Sequence, residues 1–362
     1  MADASYCRIA PGGLRPPLAY ARLIGAIVVM VLPSSPWLRA ADTVRTSKGP
    51  ITGKIESVGK LEIRVERSAG KVESYHANEV QYVSFDGEPP KLNLARTAAI
   101  AGRCEEALRL LADLGAPLPD RKELKDDLEY YQAMCTAKLA LAGAGDLGDA
   151  VRRMRAFVQT HPESHHYFAA CELLGDLFAA VRSYPNALEQ YTFVEQAPWP
   201  DYKMRGAVSR GRVQLAQQNF DAALAAFASV IALADQNKGD LVEAQRVAAV
   251  LGKAEALAGK GNYDEAVSLL EGVMSAADPE NAELHAHAYV VLGNCLKKAD
   301  RKRAALLAYL HVDVLYDSFP EWHAIALENL AELWTAAGEP KRAAEALAVL
   351  DERYKSRARK TP

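Results

Sequence analysis

Between residues 42 and 88, apolar and polar positions alternate with a period of two. In "LEIRVER", Leu61, Ile63 and Val65 face one way while Glu62, Arg64 and Glu66 face the other, the pattern of a half-buried strand. "GPITGKIESV" precedes it with Ile51 and Ile55 in phase, and "GKVESYH" and "VQYVSF" follow across Gly-containing turns. Four or five short strands in so short a stretch predict a small β module, barrel-like or strongly bent. A unit of this size buries little surface and is expected to lean on its neighbour.

Near residue 91 the period becomes helical. Five stretches repeat one pattern: "CELLGDLFAAVRSYPNALEQY" from Cys171, "SRGRVQLAQQNFDAALAAF" from Ser209, "GKAEALAGKGNYDEAVSLL" from Gly252, "VLGNCLKKADRKRAALLAY" from Val291 and "NLAELWTAAGEPKRAAEAL" from Asn329. Each reads as an amphipathic helix, a polar turn, an alanine on a second helix and a bulky residue four later. The alanines are Ala187, Ala223, Ala266, Ala305 and Ala343; the bulky residues are Tyr191, Phe227, Leu270, Tyr309 and Leu347. Two weaker copies come first, with Ala107 before Leu111 and Ala150 before Met154. From Ala107 onward the spacings are 43, 37, 36, 43, 39 and 38 residues. Such a period marks a helical array in which no repeat buries its apolar face alone. Small residues on the first helix (Gly175, Gly211, Ala254, Gly293, Ala331) and alanine on the second let the two axes approach. The bulky residue then fills the gap beside the next pair.

These copies resemble tetratricopeptide repeats: the small residue, a turn of the "NYDEA" kind, the alanine, the bulky residue, and a proline after the second helix (Pro162, Pro200, Pro279, Pro320). The resemblance covers residues 91–355 and implies a mainly α fold, a right-handed solenoid of about seven degenerate helical hairpins over 89–355. The family's usual period is 34 residues, and every spacing here is longer. Lys138 stands where the second copy should have a small residue. Residues 41–88 resemble, more loosely, the SH3-like or Sm-like β modules of bacterial envelope proteins.

Residues 1–40 differ from the rest. They carry Arg8, Arg15, Arg22 and Arg39 against the single acid Asp3, and Leu23 to Leu32 is an uncharged apolar run. A basic start and a short apolar core describe a secretory leader; the alternative is an uncleaved anchor through residues 23–32. Without this segment the 43 basic and 46 acidic residues become 39 and 45, a net charge of −6. The β module holds seven basic and eight acidic residues. Neither balance favours nucleic acid as a partner. Residues 356–362 form a basic tail. Cys104, Cys135, Cys171 and Cys295 are far apart in sequence and read as small apolar residues inside helices, with Cys104 and Cys135 the one pair to test for a disulfide.

No hydrolase, metalloprotease, P-loop or dinucleotide signature is present. His161, His165 and His166 in "HPESHH", and His285 and His287 in "ELHAHAY", are the metal candidates. The first set falls in an inter-repeat loop, and the second places its histidines on different helix faces. No metal and no cofactor is expected. Glu105 with Glu106, and Asp126 with Asp127, read as solvated helix surface. Binding is the better expectation. The resemblance implies that first helices line a concave face, here including Arg205, Arg212, Glu255, Asn294, Lys297, Glu328 and Glu332. The expected function is an exported scaffold in the periplasm or cell envelope that captures a protein or peptide on that face. It would touch a membrane only through an uncleaved N-terminal segment. The runner-up makes the β module the binding unit and the array a spacer or oligomerisation surface; an enzyme comes third.

In "VSFDGEPPKLNLARTAA", Pro89 and Pro90 cannot continue a strand. The join between module and array is about four residues, too short for a flexible linker. The module is therefore expected to dock on the first helix pair, with Asp86 and Glu88 in an exposed turn.

Overall fold

The computed structural model describes residues 41–68 and 70–358. The expected leader of residues 1–40, and residues 359–362 of the basic tail, lie outside them. No described helix is long and apolar enough to cross a membrane.

Five antiparallel strands come first: β1 (Asp42–Thr46), β2 (Gly49–Val58), β3 (Glu62–Ser68), β4 (Lys71–His76) and β5 (Val80–Ser84). Their order is β4-β3-β2-β1-β5. The sheet is open, which corrects the barrel-like expectation: the single turn Ala77–Glu79 separates β4 from β5, and the two remain unpaired edges. Register shifts near Arg45, Ile55 and Glu66 bend it. Gly53 sits where the bend brings strands together; a Cβ there would lie 2.6 Å from the Glu66 carbonyl oxygen and from Val65. Val44, Ile55, Ile63, Val65, Val83 and Phe85 form the buried face. Leu61 precedes β3 and is exposed, so the alternation begins one residue later than the sequence indicates.

Fourteen helices follow among the described residues: α1 (Pro90–Ile100), α2 (Cys104–Ala112), α3 (Lys122–Leu141), α4 (Leu147–Thr160), α5 (Tyr167–Ala180), α6 (Tyr184–Glu195), α7 (Pro200–Ala216), α8 (Phe220–Asp235), α9 (Asp240–Gly259), α10 (Tyr263–Ala276), α11 (Ala282–Lys298), α12 (Lys302–Leu315), α13 (Pro320–Ala336) and α14 (Pro340–Ala358), the last interrupted at Tyr354. They form seven hairpins. First helices also touch the next first helix, as α5 to α7, α7 to α9, α9 to α11 and α11 to α13 do, so first helices build the inner face. The two 43-residue spacings are explained: each spans one of the two 20-residue first helices, α3 and α9.

Every hairpin turn has the same chemistry. The residue that ends the first helix is left-handed: Gly102, Gly143, Arg182, Gln218, Gly261, Asp300 and Gly338. The next N–H bonds back five residues, as Asn219 N–H does to the Gln214 carbonyl at 2.8 Å and Arg301 N–H to Leu296 at 2.9 Å. This is the Schellman closure, in which glycine carries no Cβ penalty.

Between the helices, small meets large. A Cβ on Gly175 would lie 2.5 Å from the Tyr191 ring, on Gly211 2.6 Å from Phe227, and on Gly293 2.6 Å from Tyr309. Gly252, on the following first helix, presses on Phe227 from the other side, so the bulky residue wedges between successive hairpins. Ala107, Ala150, Ala187, Ala223, Ala266, Ala305 and Ala343 are all buried. Leu347, in the last hairpin, remains 51% exposed because no later hairpin among the described residues covers it. Lys138, the departure from the pattern, points to solvent.

The joint between sheet and helices differs from the expectation. Glu88 is not an exposed turn residue; its side chain is 6% exposed. It accepts from Ser84 Oγ (2.8 Å), the Phe85 N–H (3.0 Å) and Arg96 Nη1 (2.6 Å). Arg96, fully buried on α1, donates from Nε to Asp127 Oδ2 on α3 at 2.8 Å. Asp126 and Asp127 are therefore buried, not solvated. A carboxylate pair on a helix reads as surface until a buried guanidinium from another helix is placed against it. Docking extends beyond the first pair. Arg121 lies over Phe85 and beside Asp42, Lys60 over Tyr167, and Asn78 donates to Asp201 on α7. All four described cysteines are free and buried. Cys104 and Cys135 do meet, thiol against thiol, and burial pushes Cys135 up to about 12.

Candidate functional site: a groove on the inner face

The repeat position just after the small residue projects from each first helix onto the inner face. In two repeats its fate is set by the bulky residue fifteen later. In α5 that position is Asp176, and the Tyr191 hydroxyl donates to it at 2.7 Å. In α11 it is Asn294, which accepts from the Tyr309 hydroxyl at 2.6 Å. In α7 it is Arg212, facing a repeat whose bulky residue is Phe227; in α9 it is Glu255, whose bulky partner is Leu270. Neither has a hydroxyl. Arg212 and Glu255 thus make no hydrogen bond or ion pair among the described residues, and Lys298 beside them makes none either.

These three line a cavity of about 620 Å³ with Leu215, Ala216, Phe220, Ala258, Asn294, Cys295, Lys297 and Asn329. Burial raises the Glu255 carboxyl above its usual range, against the opposing pull of Arg212 and Lys298. The Arg212 field also reaches Asp176, whose carboxyl burial pushes up to about 6, and His287, which burial lowers to about 4. The groove therefore offers one cation on each side of a half-buried carboxyl, with two amides and an apolar floor. Such a surface can hold an extended polar backbone and side chains of both signs.

Of the seven inner-face residues expected from sequence, Arg212, Glu255, Asn294 and Lys297 come together in this groove. Lys297 is shared: it donates to Asn329 at 3.0 Å and pairs with exposed Glu332. Arg205 is spent internally, paired with Glu172 and stacked over Tyr202. Glu328 is half-buried on α13 outside the lining. Lys298 and Asn329 were not singled out by sequence; the signal available was their place one residue after Lys297 and three before Glu332. A larger cleft of about 1090 Å³ lies between α9, α10 and α11 and includes His287, stacked on Trp322 at 3.8 Å. Its one cation, Arg246, is already paired with Glu243, and its walls combine Ala, Val and Leu with the acidic Asp240, Glu265, Asp278 and Glu283.

No family model matches the sequence, and no curated protein matches it either. Solved structures do. A Rap protein complexed with competence and sporulation factor aligns at a TM-score of 0.54 and 14% identity over 74% of this chain and 76% of that one. A tetratricopeptide repeat protein from Parabacteroides merdae aligns at 0.53 and 16%, covering 73% and 92%. The helical array has the tetratricopeptide-repeat fold. The apo quorum sensor NprR from B. thuringiensis aligns similarly, at 0.56 and 13% over 72% and 74%. At these identities the likeness is one of fold.

Proposed function

We propose that this tetratricopeptide-type array is an interaction scaffold that holds an extended segment of a partner protein in the Arg212–Glu255–Lys298 groove. The observation that carries the reading is the release of those three charges. At the same repeat position elsewhere, Asp176 and Asn294 are tied down by tyrosine hydroxyls and Glu332 by an ion pair with Lys297. Unpaired charge beside apolar floor is the usual composition of a recognition site. The complex of the similar Rap protein with competence and sporulation factor is in keeping with binding of a partner by this fold. The setting we propose, an exported protein of the periplasm or envelope, rests on the basic and apolar character of residues 1–40.

Affinity capture from envelope extract tests this with the parent and with an Arg212→Glu, Lys298→Glu variant. Loss of specific captured proteins with unchanged helicity is the expected result; an identical set contradicts the groove. Arg205 is unsuitable for reversal, since it would leave Glu172 unpaired. A second reading makes the sheet the binding unit, and one observation favours it: β4 is an open edge carrying partly exposed Val72, where a partner strand could add.

A further inference from the structure

The chemistry left unused by the groove lies at the opposite end of the array, in the α4–α5 loop. Two histidine-bearing contacts pin this loop to α3. His161 Nε2 meets Glu129 at 2.7 Å and its Nδ1 lies 2.9 Å from Asp126. His166 Nε2 lies 2.8 Å from Asp127 Oδ1. The second contact is incomplete. His165 lies against His166 with ring centroids 3.7 Å apart and the rings tilted by 38°, and it directs Nε2 to within 4.0 Å of the same Asp127 oxygen. That nitrogen is buried and has no hydrogen-bond partner. Its side chain is only 7% exposed.

We propose that Asp127, His165 and His166 form a binding site for a divalent transition-metal ion of the zinc class. One ligand atom from each residue lies within 4.8 Å of the others. Bond lengths of about 2.0–2.2 Å around a tetrahedral ion require donors roughly 3.3 Å apart; the observed 2.8 and 4.0 Å bracket that value. The donor set, two imidazoles and a carboxylate, suits zinc, cobalt or nickel. Burial holds the His165 imidazole down to about 3, so it is neutral and free to ligate.

Charge points the same way. The buried set holds two carboxylates, Glu88 and Asp127, against one guanidinium, Arg96. A cation at Asp127 Oδ1 would offset the second carboxylate, and an isolated buried charge is costly. Arg96 engages Asp127 through Oδ2, which leaves Oδ1 for the ion, and Glu88 offsets the guanidinium from the far side. Arg96 Nη2 is the cluster's other buried atom without a partner. An ion at Asp127 Oδ1 gives the unpartnered His165 nitrogen a partner. It would clamp the α4–α5 loop to α3 and, through Arg96 and Glu88, to the sheet.

The sequence expectation of no metal rested on the placement of these histidines in an inter-repeat loop, and the fold sets the buried carboxylate of Asp127 beside them. Chelator-treated full-length protein, titrated with zinc by calorimetry and with cobalt by visible absorption, tests the site. The expected result is one equivalent bound, intense four-coordinate cobalt bands, and a Tm that rises with zinc. His165→Ala should weaken binding by more than about 100-fold and abolish the zinc-dependent rise, while His161→Ala leaves both intact. His165 makes no hydrogen bond, so the metal-free His165→Phe variant, which keeps a buried ring, should melt close to the parent and still lose the zinc-dependent rise. Absence of stoichiometric binding overturns the proposal. So does binding that survives both His165→Ala and His166→Ala, which would place the ion elsewhere.

Discussion

Around α1, α3 and the α4–α5 loop the interior is ionic: Arg96 is fully buried between Glu88 and Asp127, and His166 rests on Asp127. From α7 to α13 the interior is steric: glycine and alanine take the rings of Phe227 and Tyr309, with no buried ion pair at those wedges. The ionic region ties three elements distant in sequence into one geometry and consumes its charges internally. The steric region is held by shape, and its polar side chains can be left over for the inner face. The groove with its unpaired charges lies in the second region and the joint with the sheet in the first.

The sharpest way to break the contrast is Arg96→Met. Removing one member of a buried ionic set leaves the others uncompensated, so we expect a loss of about 3–5 kcal/mol by urea unfolding. Amide exchange in β1 and β5 should rise with it. A loss comparable to that of a surface change would mean the joint is held by apolar contact alone. Next in size is overpacking of the wedges. Ala223→Leu and Ala305→Leu should each cost about 1–3 kcal/mol, whereas Gly272→Ala, where a Cβ meets nothing within 4 Å, should gain roughly 0.5–1 kcal/mol. Equal effects at the three sites would refute the packing register.

Asp176 sharpens the comparison by pH. Its folded value of about 6 lies above the ordinary 3.8 because burial opposes ionisation. The native state therefore binds more protons than the unfolded chain between those values, and stability falls as pH rises through that window. Asp176→Asn can still accept from Tyr191, as Asn294 does from Tyr309. Its advantage over the parent should grow from pH 4 to 6 and level off above, reaching about 1–3 kcal/mol. A pH-independent difference would contradict the assignment. Smallest is the turn: Gln218→Gly relieves a left-handed non-glycine residue at φ 62° and should add about 1 kcal/mol in thermal unfolding.

The hairpin array was legible because small residue, alanine and bulky residue recur at fixed offsets, and offsets are what a sequence displays. Glu88, Arg96 and Asp127 were not legible. Their pairing spans α1 and α3, and each alone looks like an ordinary surface charge. The groove was half legible. Periodicity placed Arg212, Glu255, Asn294 and Lys297 on one face, yet it also placed Arg205 there, and only coordinates show Glu172 taking it. A finer reading of the repeat was available. Where the bulky residue is Tyr, its hydroxyl engages the residue after the small position; where it is Phe or Leu that bond is missing, leaving Arg212 and Glu255 free while Glu332 pairs with Lys297. The open sheet was not legible either, since strand alternation carries no information on whether β4 and β5 pair.

The central claim, capture of a partner segment in the groove, is tested most directly by a photo-crosslinking residue placed at Ala216, an exposed groove position, and separately at Val72 on the β4 edge. The account predicts a discrete crosslinked partner from Ala216, lost with Arg212→Glu, and none from Val72. A partner crosslinked from Val72 and absent from Ala216 would contradict it and assign recognition to the sheet.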